Sequence, residues 1–255
     1  MLGTPTVKQL AIAAGLYRPA RWVTRRIHRA QLTALHGDVE LYRSMLPGDA
    51  LCFDIGANIG EKSEAMLRAG AKRVVAFEPN PRVLPELRAR CGHWKNWTLV
   101  EAALGSAPGF ATLFARERHG QSGLQEQWGG RIDGTYDVPV LTLDSAIRYF
   151  GRPWYCKIDV EGWELEVLKG LSEPLPLLSF EFALLDGDIA KTLGCLERLS
   201  GFGAARVNIT PAEASEFHFA EWDALERFRG WFPGDLKRSL PRDIYGDIFV
   251  KSAAL

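Results

Sequence analysis

The stretch LCFDIGANIG, residues 51–60, decides the fold of this chain. It begins as a short apolar run typical of a buried strand, and it ends in a Gly-rich turn that leads into a helical pattern. Such a turn lets backbone N–H groups and the N-terminus of the next helix approach a ligand. The stretch therefore predicts an α/β fold with a ligand site at this turn.

The spacing within the turn excludes two common phosphate-binding motifs. A P-loop has four residues between its glycines, but Gly56 and Gly60 are separated by three, and Glu61 would repel a phosphate. The dinucleotide motif GxGxxG is also absent, because Asp54 stands where its first glycine would be. The remaining pattern, DxGxxxG, suits a ligand with a cationic end, such as an ammonium or sulfonium group, which Asp54 can attract.

Two further strand ends extend this pattern. Glu78 closes the next apolar run, where an acid can accept hydrogen bonds from both hydroxyls of a ribose. Ala102 and Ala103 follow the third run and leave room for a flat adenine. Adenosine joined to a cationic amino acid is S-adenosylmethionine. Each feature alone has a simpler explanation, since tight turns favour glycine and Glu78 could cap a helix, but their order along three strands favours cofactor binding.

Apolar runs alternate with helical patterns from residue 48 onward, which predicts a Rossmann-like, doubly wound, mostly parallel sheet. A polar, Gly-rich segment at residues 105–139 breaks the rhythm and predicts a hairpin and mobile loop inserted into the sheet. The expected strands cover residues 50–54, 73–77, 97–101, 154–159, 177–182 and 244–251, and the expected helices cover residues 60–69, 81–91, 143–150, 163–170 and 188–199.

Length and composition narrow the class of protein. The 255 residues carry 31 Lys and Arg against 31 Asp and Glu, so no overall field gathers a nucleic acid and no such partner is expected. The four cysteines form no CxxC pair and predict buried thiols in a reducing compartment. Because no apolar run reaches the ~18 residues of a membrane span and no signal-peptide pattern is seen, we expect a soluble, cytoplasmic protein.

The N-terminal residues differ from the rest of the chain. Residues 1–46 are expected to form a basic helical extension, followed by a single catalytic domain at residues 47–255. The extension could rest on a membrane surface or an acidic partner, or it could pack its apolar stripe on the domain. A homo-oligomer is also possible. The basic residues that precede Asp38 are Lys8, Arg18, Arg21, Arg25, Arg26 and Arg29.

Five motifs, in this order, resemble the FkbM family of S-adenosylmethionine-dependent methyltransferases: FDIGANIG (53–60), AFEPNP (76–81), EAALG (101–105), LTLD (141–144) and KIDVEGWE (157–164). The resemblance implies a class I methyltransferase sheet of seven strands, the last antiparallel. It implies O-methylation of a saccharide, glycolipid or natural-product hydroxyl. By position, Asp54, Gly56, Asn58 and Gly60 would hold the methionine part of the cofactor, Glu78 the ribose, and Ala102 with Ala103 the adenine edge.

The candidate catalytic residues lie in the KIDVEGWE motif (157–164) and at the next strand end, where Glu181 stands. Lys157, Asp159 and Glu161 alternate along one strand end, so they can share a face close to the transferred methyl. Asp159 is the first candidate for the base that removes a hydroxyl proton, while Glu161 and Glu181 are lesser candidates or orienting partners. Asp159 could instead bind the cofactor amino group.

Other arrangements stay open at this stage. Asp159, Glu161 and Glu181 could hold magnesium, but their spacing does not demand a metal and none is expected. His119 is an alternative base, and residues 201–243 are expected to form a variable region that covers the acceptor. The rival functions are an NAD-dependent oxidoreductase on a similar fold and a non-catalytic binding module for S-adenosylmethionine.

Overall fold

The structure is a computed structural model that describes residues 33–116, 122–126, 131–212, 214–239 and 245–253. The six basic residues that precede Asp38 and the alternative base His119 lie outside these ranges.

Strands and helices alternate along most of the described chain, as the sequence predicts. The strands are β1 (Leu51–Ile55), β2 (Arg73–Phe77), β3 (Trp97–Val100), β4 (Ala103–Leu104), β5 (Gly109–Arg116), β6 (Ile132–Leu141), β7 (Tyr155–Ile158), β8 (Leu177–Ala183), β9 (Ala205–Pro211), β10 (Asp223–Ala224) and β11 (Tyr245–Ser252). The helices are α1 (33–45), α2 (Glu61–Arg68), α3 (Leu84–Cys91), α4 (Leu143–Phe150), α5 (Glu164–Lys169), α6 (Asp186–Ser200), α7 (Leu225–Trp231) and α8 (Gly234–Ser239).

The central sheet has the order β10-β9-β11-β8-β7-β1-β2-β3. The strands from β8 to β3 in that order run parallel, while β11 is antiparallel to both of its neighbours. The mostly parallel sheet with an antiparallel last strand is therefore confirmed. The sheet has one strand more than the expected seven, because the two-residue β10 pairs with β9 at the edge.

Both faces of the sheet are covered, which confirms the doubly wound arrangement. Successive residues of a strand point to opposite faces. Phe53 and Cys156 belong to a large core formed with α4, α5, α6 and α7, whereas Cys52 and Tyr155 belong to a second core formed with α1 and α2. All four cysteines are buried and free, as the sequence predicts.

The hairpin formed by β5 and β6 does not enter the central sheet, so the predicted insertion into the sheet is wrong. It joins β4 in a separate sheet of order β4-β6-β5. One face of this small sheet is buried by Ala103, Leu113, Val138 and Val140. The hairpin thereby lies beside the carboxyl end of β3 instead of lengthening the main sheet.

The described end of the N-terminal extension packs against the domain. Val39, Leu41 and Tyr42 of α1 are buried in the same core as Met66 of α2. Within the ranges given above, no helix combines the length and apolar character needed to cross a bilayer.

Candidate active site

The turn between β1 and α2 adopts the left-handed backbone that its glycines allow. Gly56 has a φ of +81°, and a Cβ at that position would lie 1.7 Å from the carbonyl oxygen of Asp159. The N–H groups of Gly56 and Ala57 both donate to the carbonyl of Phe77, at 2.9 and 3.1 Å. A glycine is required here because the end of β7 lies directly against the turn.

A cavity of about 690 Å³, the first cavity, opens at this turn. The hairpin closes one side of it through Leu113 and residues 122–124, and Phe77 and Trp163 add further apolar wall. The structure brings seven of the predicted site residues to its wall: Gly56, Asn58, Glu78, Ala102, Ala103, Asp159 and Glu161. The cavity therefore combines apolar surface with a few polar groups, as small-molecule sites do.

Asp54 and Gly60 do not reach the wall of the first cavity. The Asp54 side chain is buried behind the turn, where it accepts a hydrogen bond of 2.6 Å from the Ser63 hydroxyl. Burial raises the pKa of this carboxyl, and the Ser63 hydrogen bond opposes that change. Gly60 has a φ of +88° and faces the side chains of Leu87 and Cys91. The structure therefore places both residues in the support of the turn.

Two backbone groups fix the carboxylate of Glu78 in the first cavity. One carboxylate oxygen accepts from the backbone N–H of Asn58 at 2.7 Å, and the other accepts from that of Asn80 at 2.8 Å. Burial raises the pKa of Glu78 to about 7, although these two N–H groups lower it. Glu78 does not cap a helix, because α3 begins only at Leu84 and has no side-chain cap. The Glu78 carboxylate therefore lies in the wall of the first cavity with each oxygen fixed by one backbone donor.

Asp159 lies at the junction of two cavities. It follows β7 directly and lines both the first cavity and a second cavity of about 530 Å³. One oxygen of its carboxylate accepts a hydrogen bond of 2.7 Å from the ammonium group of Lys157, a side chain that is only 3% exposed. Asp159 is the one lining residue that the two cavities share among the residues described around them.

The other two candidate acids line different cavities, each of which Asp159 also lines. Glu161 follows the end of β7, in a turn where its own φ is +53°, so the expected strand alternation through Lys157, Asp159 and Glu161 is wrong at its last member. Glu161 lines the first cavity, whereas Glu181 of β8 lines the second. Burial, followed by the nearby carboxylates of Asp159, Glu161, Glu164 and Asp247, raises the pKa of Glu181 to about 9.

The second cavity also contains residues that the sequence patterns did not single out. Asp38 and Tyr42 reach it from α1, Thr210 from β9, and Tyr245 and Asp247 from β11. No local motif marks these positions, because they meet only when distant segments pair and pack. Thr210 belongs to the region 201–243 that was expected on the acceptor side.

Among the residues that the structure describes, no three His, Cys, Asp or Glu side chains are grouped so that they could bind a metal ion. Asp159 is instead paired with Lys157, and Glu161 and Glu181 line different cavities.

Comparison with known proteins gives matches over most of the domain. A family model described as the methyltransferase FkbM domain matches residues 54–233. The hexuronic acid methyltransferase AglP of Haloferax volcanii is 25% identical over 186 residues, which cover 70% of this chain and 75% of that protein. The methyltransferase sdnD of Sordaria araneosa is 30% identical over 164 residues, which cover 50% of this chain and 62% of that protein.

Solved structures give weaker matches. A precorrin-6y C5,15-methyltransferase from Geobacter metallireducens has 15% identity and a TM-score of 0.44, with 88% of each chain covered. Fibrillarin from Aeropyrum pernix, in complex with natively bound S-adenosyl-L-methionine, has 10% identity and a TM-score of 0.43, with 81% of this chain and 67% of that chain covered.

Proposed function

This chain belongs to the FkbM methyltransferase family, and we propose that it is an O-methyltransferase that uses S-adenosylmethionine to methylate a hydroxyl of a saccharide, glycolipid or natural-product acceptor. The observation that carries this proposal is the position of Asp159 in the wall of both cavities. A methyl donor in the first cavity and an acceptor in the second would meet at this one side chain.

The polar and apolar groups of the first cavity support binding of the cofactor. Each carboxylate oxygen of Glu78 accepts one backbone N–H, and each has a further lone pair with which to accept a ribose hydroxyl. Ala102 and Ala103 leave space for the adenine, with Leu113 of the hairpin on the wall of the same cavity. Asn58, on the β1–α2 turn, lies where the methionine part would be held.

In this proposal, Asp159 acts as the base. When bound, S-adenosylmethionine supplies a methyl group on a positively charged sulfur, which makes that carbon electrophilic. Lys157 holds one oxygen of the Asp159 carboxylate and leaves the other to accept the hydroxyl proton. The acceptor oxygen would bond to the methyl carbon as the carbon–sulfur bond breaks, with S-adenosylhomocysteine as the leaving group. The walls of the two cavities add to the rate by holding the acceptor oxygen in line with the methyl.

Binding experiments distinguish this function from its rivals. Calorimetric titration of the purified protein with S-adenosylhomocysteine, the cofactor product, is expected to give a micromolar dissociation constant, and NAD is expected to give no heat. The Glu78→Ala variant should bind the product more weakly by ~1–3 kcal/mol, because a pair of charge-assisted hydrogen bonds is lost. Selective binding of NAD would favour an oxidoreductase and refute the proposal.

A methyl-transfer assay then separates an enzyme from a non-catalytic module. The protein is incubated with S-adenosylmethionine carrying a labelled methyl group and a panel of saccharides. Label recovered on an acceptor oxygen is the expected result. Tight binding of S-adenosylhomocysteine without transfer to any hydroxylated acceptor would instead indicate a binding module.

A further inference from the structure

The second cavity has more carboxyl groups than ammonium groups. Its wall includes four acids and two lysines: Asp38, Asp159, Glu181, Asp247, Lys62 and Lys157. Each lysine already has a close acidic partner. The ammonium group of Lys62 lies 2.7 Å from Asp38, and that of Lys157 lies 2.7 Å from Asp159.

Glu181 and Asp247 are therefore the acids with the least compensation. They are directly opposite each other in the antiparallel pair of β8 and β11, an arrangement in which side chains point to the same face. Two like charges at such positions would destabilise a sheet. Burial and the neighbouring carboxylates raise the pKa of Glu181 to about 9, so in the free protein this carboxyl stays protonated near pH 7. Lys157 approaches Asp247 only to 4.0 Å, and Glu181 forms no hydrogen bond or ion pair with any residue that the structure describes.

Lys157 is a second sign that this cavity holds a polar ligand. Its side chain is almost completely buried, yet only one of its three N–H donors has a hydrogen-bond acceptor within the described ranges. Burial of an ammonium group with unused donors is costly unless water or a ligand supplies acceptors. Hydroxyl oxygens of a polyol that enters the cavity would fill this need.

We infer that the second cavity takes an amine-bearing polyol, of the amino-sugar class, with its ammonium group between Glu181 and Asp247 and a hydroxyl at Asp159. This inference rests on the proposed function and specifies its acceptor. A cationic group at that point is attracted by the Asp247 carboxylate and favours the ionised form of Glu181, which burial and the neighbouring acids otherwise disfavour. A sugar that carries a carboxylate would add a fifth acid to a wall with two paired lysines.

Three matched probes test the charge of the acceptor: methyl glucosaminide, methyl glucoside and methyl glucuronide. They share a pyranose ring and differ mainly in charge. Binding of each is measured by calorimetry on the full chain saturated with S-adenosylhomocysteine. The glucosaminide is expected to bind roughly tenfold more tightly than the glucoside, and the glucuronide roughly tenfold more weakly than the glucoside. Equal binding of glucosaminide and glucoside, tighter binding of the glucuronide, or no binding of any probe would overturn the inference.

Variants locate the amine within the cavity. Glu181→Gln keeps the shape of the side chain but cannot ionise next to a bound ammonium group, so it should abolish the preference for glucosaminide over glucoside. Glu173→Gln is the matched control, because this exposed side chain lies outside both cavities. If Glu181→Gln does not fold, Asp247→Asn makes the same test. An unchanged preference in a folded variant would refute the inference.

The two levels of proposal fail in different ways. Binding of S-adenosylhomocysteine is measured first on every preparation. Its absence contradicts the proposed function, whereas normal product binding with the wrong order of glycosides contradicts only the assignment of the acceptor.

Discussion

Affinity for S-adenosylhomocysteine should depend on pH through Glu78. Burial raises the pKa of this carboxyl to about 7 in the free protein. Ribose hydroxyls donate hydrogen bonds, so they bind to the ionised carboxylate. Because ionisation of Glu78 increases as the pH rises through 7, the affinity should rise in the same direction.

The magnitude follows from the fraction of Glu78 that is ionised. With a pKa of about 7, roughly one-tenth of the carboxyl is ionised at pH 6 and roughly nine-tenths at pH 8. The dissociation constant should therefore be about tenfold higher at pH 6 than at pH 8, which corresponds to about 1.4 kcal/mol. A Glu78→Gln variant lacks the titrating group and should show a weaker affinity that is the same at both values.

Calorimetric titration at pH 6, 7 and 8 tests this directly. Both proteins are titrated with the same ligand, so any protonation of the ligand itself would appear in both curves. The reasoning is refuted if the affinity of the unaltered protein is flat between pH 6 and 8, or if Glu78→Gln shows an equally steep dependence.

Three further outcomes follow from the packing of the turn and the position of the base. Gly56→Ala should lower the free energy of unfolding by more than about 2 kcal/mol in urea titrations, because its Cβ would lie 1.7 Å from the Asp159 carbonyl oxygen. Gly48→Ala is the control, because a Cβ at that position would have no atom within 4 Å. Equal stability of the two variants would contradict the geometry. Ser63→Ala should cost about 1–3 kcal/mol of stability, since it leaves the buried Asp54 carboxyl without its side-chain donor, and a change below the error of the measurement would argue against that hydrogen bond. Asp159→Asn should lower the rate of methyl transfer at least ~100-fold with little effect on S-adenosylhomocysteine binding, and unchanged turnover would show that another group is the base.

The cofactor half of the site was largely predictable because its signals are local. The Gly56 turn and Glu78 each belong to a strand end, and the carboxyl ends of neighbouring parallel strands meet at one edge of a sheet. Their order along the chain therefore determines their proximity. The same logic predicted the six strands β1, β2, β3, β7, β8 and β11 to within one residue at each end.

The direction of a single side chain was beyond such patterns. Asp54 occupies the expected strand end, but its carboxylate turns toward Ser63 instead of the cavity. Glu161 leaves the alternation of β7 because the chain takes a left-handed conformation at that residue. Both outcomes depend on backbone angles and neighbours that periodicity does not encode.

The acceptor half was not predictable because it is assembled from distant segments. Asp38 of α1 and Asp247 of β11 line one cavity although about two hundred residues separate them. Their proximity follows from helix packing and from the register of β11 on β8, in which Asp247 faces Glu181. The sequence patterns also did not predict β9, because this strand lies in the region 201–243, outside the quoted motifs. Membrane contact through residues 1–46, homo-oligomer formation and a cytoplasmic location stay predictions.

The most direct test of the account is a crystal structure of the complex with S-adenosylhomocysteine. The account predicts that both ribose hydroxyls lie within hydrogen-bond distance of the Glu78 carboxylate and that the sulfur faces Asp159 at the junction of the two cavities. A ligand whose ribose lies away from Glu78, or whose sulfur points away from the second cavity, would contradict it.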